Sequence, residues 1–313
     1  MKKPELLVAV KRLADIEPLL EAGADALSFG ETRYGLRNTG DFTLEELEKG
    51  IRLAKKKGAK VYINVNTLLH NEELDELDEY LRQLESWGAD AIVFGDPAVL
   101  VTAKQVAPKL QLHWSQEMLS TSYDTINYWA EKGASRAVLA RELTIDETVE
   151  NKLEATCEIQ AQVHGPTCIF QSRRDLVSAY FGHQGRDLDQ EDTGMERGMY
   201  VKEEKRRNIS YPVYEDNHGT HIISAEDICM IDGLTDFVNG EIDSLKIEGI
   251  LHTSEYLIEA TRIYREAIDL CAEDEDTYYE KASQFLEQIE AIQPKNRPLN
   301  TGFYYKPPIP YHT

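Results

Sequence analysis

The side chains able to do chemistry in this 313-residue chain gather at the ends of short apolar runs. Asn64 and Asn66 close one run, Asp96 another, His113 and Ser115 a third, Arg141 and Glu142 a fourth, His164 a fifth and Glu248 a sixth. Any one of them is most simply a satisfied structural hydrogen bond. Together they exceed what packing needs, because buried charges demand partners and cluster where function is. Arg141 and Glu142 supply both signs of charge from one run end. The forked guanidinium of Arg141 suits a carboxylate or phosphate, the alternative being an ion pair with Glu248 or Asp96. Asn66, Arg141, Glu142, His164 and Glu248 are therefore the predicted ligand-binding set. Cys168 follows His164 by four residues, so a thiol–imidazole pair is conceivable, but no third orienting group can be named. There is no HExxH, GxSxG or CxxC pattern, so no metal site is signalled and no catalytic residue is assigned. The pairs Gly182/Gly185 and Gly194/Gly198 lack the strand-before, helix-after setting of a phosphate loop and read as turns.

The elements that must position these residues are legible from periodicity. Apolar runs at 6–10, 26–30, 61–66, 91–96, 112–115, 137–141, 159–164 and 245–249 have strand length, as expected of parallel strands buried on both faces. Amphipathic segments separate them, with capping-box starts at Thr43 and Asn71. Gly23, Gly58, Gly88 and Gly133 each stand just before a run, where glycine ends a helix in the left-handed conformation. The pattern predicts an α/β fold, a TIM-like (β/α)8 barrel with an insertion after the seventh strand and a C-terminal helical tail. A doubly wound open sheet is the alternative, since periodicity does not distinguish a closed sheet from an open one. The expected organisation is a barrel over 1–271, including an insertion over 166–233 that lacks a long helical period. Residues 272–313 then form an acidic linker (Glu273–Asp276), a helix and a Pro-rich tail.

Composition narrows the function classes. A net charge of −22 gives a surface that repels polyphosphate and disfavours a free-standing nucleic-acid binder. No apolar run approaches the ~20 residues of a membrane span, and the start shows no signal-peptide pattern. A cytoplasmic protein with no membrane partner is expected. Cys157, Cys168, Cys229 and Cys271 are scattered and read as reduced thiols.

Several segments together resemble one family. They are Gly23-Ala-Asp-Ala, Val61-Tyr-Ile-Asn-Val-Asn-Thr-Leu, Val138-Leu-Ala-Arg-Glu-Leu, Val163-His-Gly-Pro-Thr-Cys, Asp227-Ile-Cys, Ser244-Leu-Lys-Ile-Glu-Gly and Thr301-Gly-Phe. In this order, from about Glu5 to Tyr304, they resemble the collagenase-like peptidases of unknown catalytic type. Members of that family look like tRNA- or ubiquinone-hydroxylation proteins that hold a [4Fe–4S] cluster on four cysteines and often work in pairs, with prephenate as a required metabolite. The resemblance places the first cluster ligand at Cys168 and the other three at Asp175, Tyr200 and Glu204. A cubane needs four ligands, normally thiolates, so no iron–sulfur cluster and no other cofactor is expected here. The family's Ser-Thr-Gln-Met becomes Ser115-Gln-Glu-Met118, and an arginine becomes Ile250. The resemblance thus implies a cluster-free subunit of a tRNA wobble-uridine hydroxylation system, paired with a cluster-bearing paralogue and reaching tRNA through the complex. The alternatives are a peptidase (hydrolase), as the family label says, and a barrel that binds a small carboxylate such as prephenate.

Overall fold

A computed structural model describes residues 2–116, 120–186, 188 and 192–306; Met118 and the end of the Pro-rich tail lie outside them. Seven parallel strands come first: β1 (Glu5–Ala9), β2 (Ala26–Phe29), β3 (Lys60–Val65), β4 (Ala91–Phe94), β5 (Gln111–Ser115), β6 (Arg136–Val138) and β7 (Glu158–Gly165). The insertion follows with β8 (Cys168–Ser172), β9 (Met199–Val201), β10 (Tyr211–Asp216), β11 (Gly219–Ile223) and β12 (Asp227–Cys229). The eighth barrel strand, β13 (Ser244–Ile247), pairs in parallel with both β1 and β7. That double pairing closes the sheet and excludes the open alternative.

Seven helices lie between the strands of the first half: α1 (Ile16–Glu21), α2 (Leu44–Lys56), α3 (Asn71–Leu74), α4 (Leu77–Trp87), α5 (Pro97–Val106), α6 (Tyr123–Glu131) and α7 (Ile145–Glu154). Thr43 and Glu46 form the capping box that starts α2, and the four glycines singled out above have φ between 83° and 107°, so each ends its helix as expected. Strand residues alternate between two destinations. Leu6, Val8, Ile63 and their equivalents face the helices in the main core. Leu7, Ala26, Tyr62, Ala91 and Val93 face the barrel axis.

The amino end of the barrel interior is closed by a charge. Arg136, 2% exposed, meets Glu5 at 2.6 Å and Glu158 at 2.7 Å, and its guanidinium lies 5.0 Å from the centre of the Tyr62 ring. The Tyr62 and Ser244 hydroxyls donate to Glu5 at 2.6 and 2.9 Å. His113 packs edge-on against Tyr62 in the same layer. Burial, with Arg136 and Lys60 nearby, holds its pKa well below the ordinary value.

The insertion contains strands that the sequence did not announce. β8, β11, β10 and β9 form, in that order, a separate antiparallel sheet. Helix α8 (Leu176–His183) lies beside it, its first N–H groups held by the buried carboxylate of Glu215. β12 leaves this unit and pairs antiparallel with β7. After α9 (Leu234–Asn239) and β13, helix α10 (Ser254–Glu273) is followed at once by α11 (Glu275–Ile292). The expected acidic linker is thus reduced to Asp274, which accepts from Thr277 N and caps α11. Glu275 and Asp276 are helical because carboxylates favour a helix N-terminus. β14 (Leu299–Asn300) then pairs with β12.

The C-terminal segment is fastened by one buried carboxylate. Asp227 receives Arg297 at 2.5 Å, His252 at 2.9 Å and Gln293 at 2.7 Å. Burial alone would raise its pKa, but the bonds from His252 and Arg297 outweigh burial and hold it well below the usual range.

Candidate functional site

At the carboxyl ends of the barrel strands, where barrel enzymes carry their sites, lies a cavity of about 50 Å³. Its polar lining includes Asn64, Asn66, Arg141, Gln160, Lys246 and Glu248. Lys246 Nζ is 2.8 Å from Glu248 Oε2, and Thr39 Oγ1 and Gly249 N donate to Glu248 Oε1 at 3.3 and 3.0 Å. Burial alone would raise the Glu248 pKa, but Lys246 and Arg141 hold it below the ordinary value, so the carboxylate stays ionised. Ser28 donates to Asn64 Oδ1 at 3.1 Å, and Leu36 N donates to Asn66 Oδ1 at 2.8 Å.

Two acceptors here are buried and unanswered. Gln160 Oε1 and Gln162 Oε1 accept nothing from the described residues, although both side chains border the cavity. The Gln162 amide is oriented unambiguously, since its Nε2 donates to the carbonyls of Gly165 and Pro166, each at 3.0 Å. A buried acceptor without a donor is costly, and it selects a guest that carries one. Two cations, one carboxylate and two such acceptors suit a small oxyanion that also bears a hydroxyl or N–H.

The cavity opens outward into a vestibule of about 390 Å³ between the barrel mouth and β8, with Leu68, Gln116, Ile169 and Phe170 in its wall. Arg37, which itself holds a φ of 54°, reaches across and donates to Gln171 of β8 at 3.2 Å. Cys168 borders cavity and vestibule alike, its Sγ 3.2 Å from the Phe170 carbonyl oxygen.

Of the predicted ligand set, Asn66, Arg141 and Glu248 meet at the cavity, and two residues do not. β6 ends at Val138, so Arg141 and Glu142 sit on the following turn. Arg141 borders both this cavity and a neighbouring one of about 310 Å³, whereas Glu142 borders only the neighbour, with Glu226, Asn300 and Lys306. His164 faces the other way. Gln160 and Gln162 pair with Ser244 and Lys246, but His164 pairs with Ile247 across a register shift. This bulge reverses the inward–outward alternation, sending His164 toward α10. There its ring nitrogens lie 2.6 Å from the Tyr256 hydroxyl and 3.2 Å from that of Tyr264, and burial lowers its pKa to about 3. Neither nitrogen is left to activate Cys168.

The remaining strand-end residues divide similarly. Asn64 and Ser115 line the cavity; His113 belongs to the closed amino layer; Asp96 caps α5 and accepts from Leu69 N. Lys246, Gln160 and Gln162 were missed. Their signal was present in the sequence: Lys246 and Glu248 are two apart, and the glutamines alternate with Ile159, Ala161 and Val163.

The positions equivalent to cluster ligands do not form a four-thiolate set. Cys168 is on one edge strand of the antiparallel sheet and Tyr200 on the opposite edge, three strand spacings or ~14 Å away. Asp175 precedes α8. Among the described residues, no group of three or more His, Cys, Asp or Glu side chains could hold a metal ion.

The model of peptidase family U32 matches residues 11–312. The chain belongs to peptidase family U32. A protein of Bacillus subtilis strain 168, tRNA hydroxylation protein P2, is 53% identical over 98% of this chain and 99% of its own length. A second from the same strain, tRNA hydroxylation protein P1, is 32% identical over 97% of this chain and 71% of its own. Among solved structures, a dihydrodipicolinate synthase covers 92% of this chain, with 83% of its own length matched, a TM-score of 0.51 and 11% identity, a likeness of barrel fold alone. No helix among the described residues of this U32 chain is long and apolar enough to cross a membrane.

Proposed function

We propose that this chain is a subunit of a tRNA-hydroxylation system that works on the wobble uridine together with a cluster-bearing paralogue. The observation that carries this is the end-to-end match to tRNA hydroxylation protein P2, at 53% identity over 98% of the chain. That one strain holds two such paralogues supports a paired arrangement. In this reading the chain carries no iron–sulfur cluster, because three of the four ligand positions hold Asp175, Tyr200 and Glu204. Its barrel mouth holds a small hydroxylated carboxylate, prephenate being a candidate, through Arg141 and Lys246 on the anion and Gln160 and Gln162 on the hydroxyl. A cytoplasmic setting, where tRNA resides, completes the reading.

Peptide hydrolysis has the family label in its favour and no geometry. Amide cleavage needs an activated nucleophile or metal-bound water. The Cys168 thiol points to a backbone carbonyl, and His164 is sealed behind two tyrosines. The test is to purify the chain alone and with a cluster-bearing paralogue and to assay hydroxylated uridine in tRNA from cells lacking the native pair. Restoration by the two together, and not by the paralogue alone, is the expected result. Peptide cleavage by the homogeneous chain, abolished by Cys168→Ser, would overturn the proposal. So would about four iron and four sulfide per chain after anaerobic reconstitution.

A further inference from the structure

Exposed apolar side chains are not spread evenly over this molecule. Among the described residues, Ile169, Phe170, Leu176, Tyr180, Tyr200 and Val201 are six of fourteen exposed large hydrophobic residues, and all fall within the insertion, the first four on β8 and α8 and the last two on the far edge strand β9. Helix α8 buries none of its residues although it reads Leu-Val-Ser-Ala-Tyr-Phe-Gly-His. A soluble surface helix ordinarily hides its apolar stripe. β8, the strand that leads into α8, is an edge strand, laddered to β11 on one side alone, and such edges are normally covered or blunted by charge. Here the edge carries Ile169 and Phe170.

The part of the insertion from β8 through the loop after β9 is neutral, although the insertion as a whole (166–233) carries a net −5. Residues 168–210 contain eight basic and eight acidic residues, so the −22 of the chain resides entirely elsewhere. Four of these eight basic residues are ion-paired among the described residues. Arg197, Arg206 and Arg207 pair with Asp192, Glu203 and Glu204, and Arg173 with Glu73. A neutral, apolar stretch on an acidic molecule is where a second acidic protein can approach without repulsion. The same face borders the vestibule, whose rim residues Leu68, Ile169 and Phe170 are open to water. A protein seated on β8 and α8 would cover that rim and shut the barrel mouth.

We infer that α8 and the β8 edge are the docking surface for a second U32 chain, a paralogue meeting this one through its own insertion. The inference rests on the paired reading proposed above and assigns it a surface. The paralogous P1 match spans 97% of this chain, so such a partner brings a counterpart of the segment.

The test uses the full chain with a cluster-bearing paralogue in sedimentation velocity. Leu176→Asp with Tyr180→Asp should weaken the mixed complex at least tenfold. The milder Tyr180→Ser, with unchanged circular dichroism and melting, should weaken it in the same direction. Leu153→Asp, an exposed apolar residue on α7, should leave it unchanged. Equal affinity of wild type and both α8 variants overturns the inference. So does a homodimer of this chain broken by the same changes, or loss of RNA retention with the mixed complex intact. Hydroxylated uridine made by two chains that never associate would sink the surface and leave the functional reading standing. A mixed complex that α8 variants disrupt, but that makes no hydroxylated uridine, would do the reverse.

Discussion

Both ends of the barrel interior are polar, and their polar groups are arranged to opposite effect. At the amino end Arg136, Glu5 and Glu158 answer one another, with Tyr62 and Ser244 filling the remaining acceptor positions on Glu5. At the carboxyl end Lys246, Glu248 and Arg141 crowd round a cavity whose glutamine acceptors have no donor. The amino-end charges are closed on one another, although both ring nitrogens of His113 beside them find no partner among the described residues; the unanswered glutamine acceptors differ in bordering a cavity that a guest can enter. Barrel folds divide stability and activity between their two faces in this way, and here it is the cavity at the carboxyl end that separates the two.

The comparison breaks most decisively at Arg136. Arg136→Met should cost about 3–5 kcal/mol, because it leaves the largely buried Glu5 with only the more exposed Lys60, 3.5 Å away, as its cation. Urea unfolding measures this, and a loss below about 1 kcal/mol would remove the structural role claimed for the amino end. Acid provides the next effect. His113 and His164 are buried and neutral in the folded chain, His164 down to about pH 3, whereas the unfolded chain protonates both near the ordinary value of 6.5. Their contribution is therefore whole above pH 6.5 and declines as pH falls toward 3. Each histidine gives a slope of about 1.4 kcal/mol per pH unit. Unfolding measured between pH 5 and 6.5 should show it, and His113→Phe should remove about half.

Gln160→Leu sharpens the contrast from the other side. It deletes a buried acceptor that none of the described residues satisfies, so stability should hold or rise by about 1 kcal/mol, while uridine hydroxylation in the paired assay falls at least tenfold. Destabilisation with full activity would show that the cavity is packing rather than a site. The smallest effect is expected at Cys168. Cys168→Ser should shift stability by less than about 0.5 kcal/mol and leave any peptide-cleaving signal where it was.

The barrel was legible because eight runs of apolar residues and four helix-ending glycines repeat at regular spacing, a local signal that needs no long-range information. The insertion was not. Its strands are short, β8 is mostly exposed, and β9 joins β10 across a loop of charged residues, so no period of two or 3.6 marks them. The site was half legible for a related reason. Strand-end position pointed to Asn66, Arg141 and Glu248, which border one cavity. It failed for His164, because a single register shift reverses the facing of a side chain and leaves no trace in residue type. It failed for Glu142 because β6 stops three residues before the turn that carries the pair. Lys246 and the two glutamines lie inside strands rather than at their ends, and alternation within the strand would have found them.

The fastening of Asp227 by Arg297, His252 and Gln293 has a consequence for the order of events during synthesis. Seven barrel strands and the whole insertion leave the ribosome before any of those three partners exists. Until they arrive, β12 cannot take its place against β7 without burying an unanswered charge, a step that costs several kcal/mol. The nascent chain must therefore wait, with β7 exposed along the side where β12 and β13 will lie, until residues 293–297 have emerged. Nascent chains arrested short of Arg297 should stay open to protease, and those arrested well beyond it should resist.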